Sequence, residues 1–71
     1  MTQHERIIDY MERFGSITPY DAFKDLGITK LSTRIGELKR GGVPIKQECV
    51  KAQNRFGETC RFMRYWLEKP L

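Results

Sequence analysis

The chain has 71 residues, of which 39% are hydrophobic and 31% are charged. This length excludes a large core and indicates one domain, and the composition excludes an intrinsically disordered chain. The polar N-terminus is followed by no long apolar run, so we expect neither a secretory signal nor a membrane-spanning segment, and we expect a cytoplasmic protein.

Charge is divided unevenly along the chain. Residues 1–27 carry three Lys or Arg and five Asp or Glu, a net charge of −2, whereas residues 28–71 carry ten and four, a net charge of +6. A basic half joined to an acidic half gives the molecule a directed electric field. A polyanion is the partner that would exploit such a field.

The first predicted element is a helix over residues 3–14. Thr2 and Glu5 have the spacing of a capping box, and apolar residues then recur at helical spacing up to Gly15. These apolar residues are Ile7, Ile8, Met11 and Phe14. The segment Ser16-Ile17 that follows is too short for more than a bridging strand.

A second helix is predicted between Thr18 and Gly27. Thr18 is its expected N-cap, and Pro19 suits its first position because no amide hydrogen is needed there. The inner face of this helix would comprise Ala22, Phe23 and Leu26.

A third helix is predicted over about residues 30–40, with Thr29 as its N-cap and Gly41-Gly42 as its end. Its apolar residues are Leu31, Ile35 and Leu38. Two β-capable runs follow, residues 45–52 and 59–67, separated by a turn that contains a glycine, which predicts a hairpin. We expect residues 1–67 to form the single domain and residues 68–71 a flexible tail.

The hairpin's alternation leaves open which of its faces is buried. Tyr65 and Leu67 share one face, and Phe62 and Trp66 share the other. We expect the aromatic residues Phe14, Phe23, Phe62 and Trp66 to lie in the core and Phe56 to pack back on the hairpin. The thiols Cys49 and Cys60 are expected to be buried, the alternative being a cross-strand disulfide or redox switch.

Three short helices followed by a hairpin form an α+β arrangement, the winged helix-turn-helix. In that fold helix 3 lies in the DNA major groove, and the hairpin, or wing, contacts the flanking backbone or the minor groove. The sequence therefore points to double-stranded DNA as the partner.

The outward side of helix 3 suits contact with DNA. On a helical wheel its apolar residues cluster on one side, and small or cationic residues occupy the rest. The candidate DNA-binding residues on this helix are Thr29, Lys30, Ser32, Thr33, Arg34, Lys39 and Arg40. Gly36 would allow close approach to the groove floor, and Arg34 is the best candidate for reading guanine with two hydrogen bonds. Alternatively, these cations only solvate the helix, and Glu37 pairs with Arg34 or Arg40.

The hairpin supplies the remaining candidate DNA-binding residues, Lys51, Arg55 and Arg61. Arg55 lies near the tip, where it could enter a minor groove, and the others could contact phosphates. The alternative is that these cations only block edge-to-edge aggregation.

Helix 1 has a different character, because Glu5, Asp9 and Glu12 form an acidic outer stripe. DNA would repel this stripe, so we expect it to face solvent or a protein partner, with a homodimer as one option. His4, in the first turn, is expected to be solvated.

No residue pattern indicates catalysis or a cofactor. Cys49, Cys60 and the distant His4 do not make a zinc site, and the sequence has no nucleophile–base pair or phosphate-cradling glycine loop. We therefore expect neither an enzyme nor a small-molecule substrate.

The segment from Ile17 to Leu38 resembles the small helix-turn-helix proteins often seen in phage and prophage genomes. The similarity continues through Gly42-Val43-Pro44-Ile45 and the Asn54–Glu58 turn to Tyr65-Trp66-Leu67. The resemblance implies a stand-alone winged helix that binds DNA in a bacterial or phage-infected cell and regulates transcription. A winged-helix protein–protein adaptor without DNA binding is the alternative.

Overall fold

A computed structural model describes residues 1–68. The elements are α1 (Gln3–Phe14), α2 (Pro19–Leu26), α3 (Leu31–Arg40), β1 (Ile45–Gln53) and β2 (Thr59–Leu67). The two strands pair antiparallel, so the predicted order of three helices and a hairpin is confirmed. None of the helices in this range is both long and apolar enough to cross a bilayer.

Local chemistry sets the bounds of the first two helices. The Thr2 hydroxyl accepts from the Glu5 amide at 3.2 Å, and the Thr18 hydroxyl accepts from the Asp21 amide at 3.1 Å. Each N-cap amide in turn donates to the carboxylate three residues later, which completes a capping box at both helices. Gly27 ends α2 with a φ of 69°, a left-handed conformation that favours glycine.

The start of α3 differs from the prediction. Lys30, not Thr29, is the N-cap residue, and no side chain caps this helix. Buried Ile28 and Leu31 anchor the chain on either side of the cap. Their burial sets where the helix begins, so the Thr29 hydroxyl does not serve as a cap.

The core is built from all three helices, both interhelical segments and β2. Its buried residues are Ile7, Met11, Ile17, Ala22, Ile28, Leu31, Ile35, Leu38 and Tyr65. Ile17 is fully buried, and its amide and carbonyl pair with those of Tyr65 at 2.8 and 2.9 Å. This pair is the predicted bridging strand, and it ties the hairpin to the helices.

The expectation that Phe14 and Phe23 belong to the core is wrong, because they are 68% and 63% exposed. Phe14 is the last residue of α1, and its ring lies 4.6 Å from the Tyr10 ring instead of under the helix. In α2 it is Ala22 that is fully buried, and its neighbour Phe23 points elsewhere on the helix.

The register of the hairpin defines an inner and an outer face. Tyr65 is buried and pairs with Gln47, which settles that its face packs on the helices. The inner face comprises Ile45, Gln47, Cys49, Lys51, Gln53, Thr59, Arg61, Met63, Tyr65 and Leu67. The outer face comprises Lys46, Glu48, Val50, Ala52, Cys60, Phe62, Arg64 and Trp66. Phe62 and Trp66 are therefore half-buried on the outer face, not in the core cluster.

The hairpin extends well beyond the helices. All residues from Lys51 to Arg61 are exposed, so the strands near the tip have no helix beneath them. Phe56 is 80% exposed, and the expectation that it packs back on the hairpin is wrong.

Cys49 and Cys60 are likewise exposed free thiols, contrary to the expectation of burial. They lie on opposite faces of the hairpin.

That residues 68–71 form a flexible tail stays a prediction. The Glu68 amide donates to the Pro44 carbonyl at 2.9 Å, and the last three residues, 69–71, lie outside the described range.

The different burial of Ile17 and Phe23 predicts opposite tolerance to truncation. Ile17→Ala removes fully buried methyl groups at the junction of helices and hairpin and should lower the free energy of unfolding by about 2–5 kcal/mol. Phe23→Ala, at an exposed site, should change it by about 0.5 kcal/mol or less. Urea denaturation followed by circular dichroism gives both values. Equal losses would mean that Phe23 belongs to the core.

Candidate nucleic-acid interface

The exposed side of α3 is small and basic, as predicted. Leu31, Ile35 and Leu38 are buried, whereas the predicted contact residues Thr29, Lys30, Ser32, Thr33, Lys39 and Arg40 are exposed. A Cβ atom placed on Gly36 would lie 3.9 Å from Arg40 Nη1, so the Arg40 guanidinium lies back along the helix over the glycine. The middle of this surface thus holds one cation and little bulk.

A hydrogen bond joins α3 to the inner face of the hairpin. Lys39 Nζ donates to Gln47 Oε1 at 2.6 Å, and Gln47 is an inner-face residue of β1. Lys51 and Arg61 lie further along this face, towards the tip. The C-terminal end of α3 is therefore joined to the inner face of the hairpin, and we call Lys39, Gln47, Lys51 and Arg61 together the basic surface.

The cations of residues 28–68 divide into two groups. Arg34 pairs with Glu37 at 2.7 Å, Lys46 with Glu68 at 3.7 Å, and Arg64 with Glu48. The other six have no carboxylate oxygen of residues 1–68 within 4.0 Å, and we call them the unpaired cations: Lys30, Lys39, Arg40, Lys51, Arg55 and Arg61. All six are among the residues predicted from sequence to contact DNA.

The pleat of the hairpin sorts its cations by face. Lys46 and Arg64 lie on the outer face, where Arg64 pairs with Glu48, and Lys46 pairs with Glu68 just beyond β2. Arg64 Cζ also lies 5.9 Å from the centre of the Trp66 ring. On the inner face Lys51 and Arg61 are directly opposite each other in the register. Like charges at opposed positions repel, so this pair costs stability unless an anion lies between or over them.

The tip presents Arg55 from an ordered turn. The Asn54 side-chain oxygen accepts from the amides of Phe56 at 2.9 Å and Glu58 at 3.1 Å, and Gly57 adopts a φ of 78°. These bonds hold the turn without using the Arg55 side chain, which is exposed. Arg55 therefore extends the basic surface to the end of the hairpin.

Arg34 is placed differently from the other predicted contacts. Its Nη1 atom donates to Glu37 Oε1, which confirms the predicted local pair, and His4 Nε2 lies 2.8 Å from the same oxygen. His4 is thus bonded to α3, and the expectation that it is simply solvated is wrong. Its hydrogen bond is the main reason why the pKa of Glu37 lies below the usual value, and Arg34 contributes further to that lowering.

A groove between α1 and the end of α2 lies on the acidic part of the chain. It has a volume of about 540 Å³, and its lining includes Tyr10, Phe14 and Leu26. The Tyr10 hydroxyl donates to Asp25 Oδ2 at 2.7 Å, and this bond is the main reason why the pKa of Tyr10 is raised to about 12. That helix 1 binds a protein partner or a second copy of the chain stays a prediction.

Sequence reasoning missed Gln47 as part of the basic surface. It carries no charge and therefore gave no signal in the charge count. The signal that could have found it is the two-residue period of β1, which places Gln47 on the same face as Lys51.

Comparison with known families agrees with this architecture. A family model described as "Winged helix-turn-helix domain" matches residues 2–70 of the chain. No curated protein matches the chain. The matched fold is one that binds DNA in general and typically carries no enzymatic activity.

The opposed cations of the inner face predict that charge reversal there stabilises the fold. Lys51→Glu replaces a repulsive cross-strand pair by an attractive one and should raise the free energy of unfolding by about 0.2–1 kcal/mol at low salt. The matched change on the outer face, Glu48→Lys, breaks the Glu48–Arg64 pair and should lower it. Thermal denaturation at low and high salt measures both effects. A loss of stability in Lys51→Glu would contradict the inner-face geometry.

Proposed function

Since the chain belongs to the winged helix-turn-helix domain family, we propose that it binds double-stranded DNA with α3 in the major groove and the hairpin along the flanking backbone or minor groove. Its role in the cell is that of a transcriptional regulator of the phage or prophage type, acting in the cytoplasm. DNA is its ligand, and no small molecule is required.

The observation that carries this proposal is the division of the cations. In residues 28–68 three of the four carboxylates are in ion pairs, and the unpaired cations lie on α3, the inner face and the tip. Surface ion pairs contribute little to stability, so the fold loses little by the lack of carboxylate partners, apart from the repulsion between the opposed Lys51 and Arg61. Phosphates of a DNA backbone are the anions that would neutralise them, with release of bound counterions.

The major groove would receive the middle of α3. B-DNA has a major groove wide enough for a helix, and the small residues Ser32 and Thr33 allow the α3 surface to approach the base edges. The hydroxyls of Ser32 and Thr33 can bond to bases or phosphates, and Arg40 lies over Gly36 on the same surface. Lys30 and Lys39 flank this surface at the two ends of the helix.

The hairpin would follow the backbone next to the groove. Lys51 and Arg61 face the side on which α3 ends, so phosphates placed over this opposed pair would relieve its repulsion. Arg55 at the tip lies furthest along the hairpin and is the residue that would enter the adjacent minor groove.

The salt dependence of binding tests this proposal. Titration of a random-sequence duplex at increasing salt should give a slope of log K against log[salt] of about −4 to −6, because about four to seven phosphates are contacted. Lys51→Ala, on the inner face, should reduce the magnitude of this slope by about 1. Lys46→Ala, the matched lysine on the outer face of the same strand, should leave it unchanged.

Two outcomes would overturn the proposal. The first is the lack of any duplex binding at low salt, which would favour the protein–protein adaptor. The second is an equal effect of Lys46→Ala and Lys51→Ala, which would mean that DNA does not distinguish the two faces of the hairpin.

A further inference from the structure

We propose that Glu37 acts as an internal competitor for DNA, holding Arg34 so that the wild-type chain binds DNA without a contact from that arginine. This inference rests on the proposed function and adds a residue that limits it. Glu37 is a positioning residue here, because it acts on DNA only through Arg34.

The geometry at Glu37 is that of an arginine already bound to an anion. Arg34 Nη1 lies 2.7 Å from Glu37 Oε1, a short charge-assisted hydrogen bond of the kind that arginine also makes to phosphate oxygens. The side chains of Arg34 and Glu37 are only 31% and 34% exposed, so water competes for this pair less than for a fully exposed one. A DNA phosphate near Arg34 would therefore meet a guanidinium whose charge Glu37 already offsets.

His4 makes that displacement harder by holding the carboxylate from a second element. Its Nε2 atom lies 2.8 Å from the same Oε1 oxygen, and an ionised carboxylate only accepts, so Nε2 is the donor. One oxygen therefore receives donors from α1 and α3, which restricts the rotation of the Glu37 side chain. The carboxylate cannot turn away from α1 without losing the bond to His4.

The pair with Glu37 distinguishes Arg34 from the unpaired cations. The six unpaired cations have no carboxylate partner among residues 1–68, whereas Arg34 alone among the predicted contacts has one. Neutralising Glu37 would release Arg34, one of the predicted DNA contacts, as a seventh cation without a carboxylate partner. The added contact would be electrostatic, so the salt dependence of binding reports it directly.

The experiment compares salt slopes for wild type, Glu37→Gln, Arg34→Ala and the double variant on one random-sequence duplex. Glutamine keeps the shape of glutamate but loses the charge that holds Arg34. Glu37→Gln should raise the affinity about 3–10-fold at moderate salt and steepen the slope by about 0.9, the value of one phosphate contact. Arg34→Ala should leave the wild-type slope unchanged, and the double variant should return to it.

Glu48→Gln is the matched control, because it removes the same charge from an ion pair on the outer face and releases Arg64. Its slope should equal that of wild type. Circular dichroism of each variant checks that α3 is retained.

Three results would overturn the inference while leaving DNA binding intact: a wild-type slope in Glu37→Gln, a slope reduced by about 1 in Arg34→Ala alone, or equal steepening in Glu48→Gln. The lack of DNA binding by every form, wild type included, would instead overturn the proposed function and this inference with it.

Discussion

The side to which each hairpin residue points depends on the placement of Tyr65. This residue is buried against the helices, and its backbone pairs with that of Ile17, in the segment between α1 and α2. Side chains alternate along a strand, so the position of Tyr65 decides the face of every other residue in both strands. A shift of the strand register by one residue would turn Arg64 and Trp66 towards the core and would move Lys51 and Arg61 to the outer face.

This register also decides which charges remain available. The outer-face cations Lys46 and Arg64 form ion pairs with carboxylates, whereas the inner-face cations Lys51 and Arg61 lie opposite each other in the register. The Lys39–Gln47 hydrogen bond extends the inner face to the end of α3. The basic surface is therefore a consequence of how the core is packed, together with the uneven distribution of charge along the chain.

Local signals in the sequence predicted much of the fold. The capping box at Thr2, the N-cap at Thr18 and the glycines after each helix act within a few residues, so α1 and α2 have their predicted bounds. The prediction failed where tertiary packing overrides such signals. Thr29 looks like an N-cap, yet the burial of Ile28 and Leu31 sets the start of α3 one residue later.

Two residues of the predicted core, Phe14 and Phe23, are wrong for a related reason, whereas Ile7, Met11 and the apolar residues of α3 are buried as predicted. Size and hydrophobicity favoured Phe14 and Phe23, but small Ala22 occupies the buried position of α2. At the site, the spacing of Arg34 and Glu37 is local, so their pair was foreseeable from the helix period. The bond from His4 to Glu37 joins residues 33 positions apart, and no sequence pattern within one element reports it.

The two cysteines allow the most direct measurement of which hairpin face meets DNA. Both thiols are exposed, with Cys49 on the inner face and Cys60 on the outer face. Alkylation by iodoacetamide, followed by mass spectrometry with and without bound duplex, reports the protection of each thiol in the unmodified protein. We expect duplex DNA to slow the alkylation of Cys49 and to leave that of Cys60 unchanged. Protection of Cys60 with Cys49 still reactive would contradict the assignment of the inner face as the DNA-binding side.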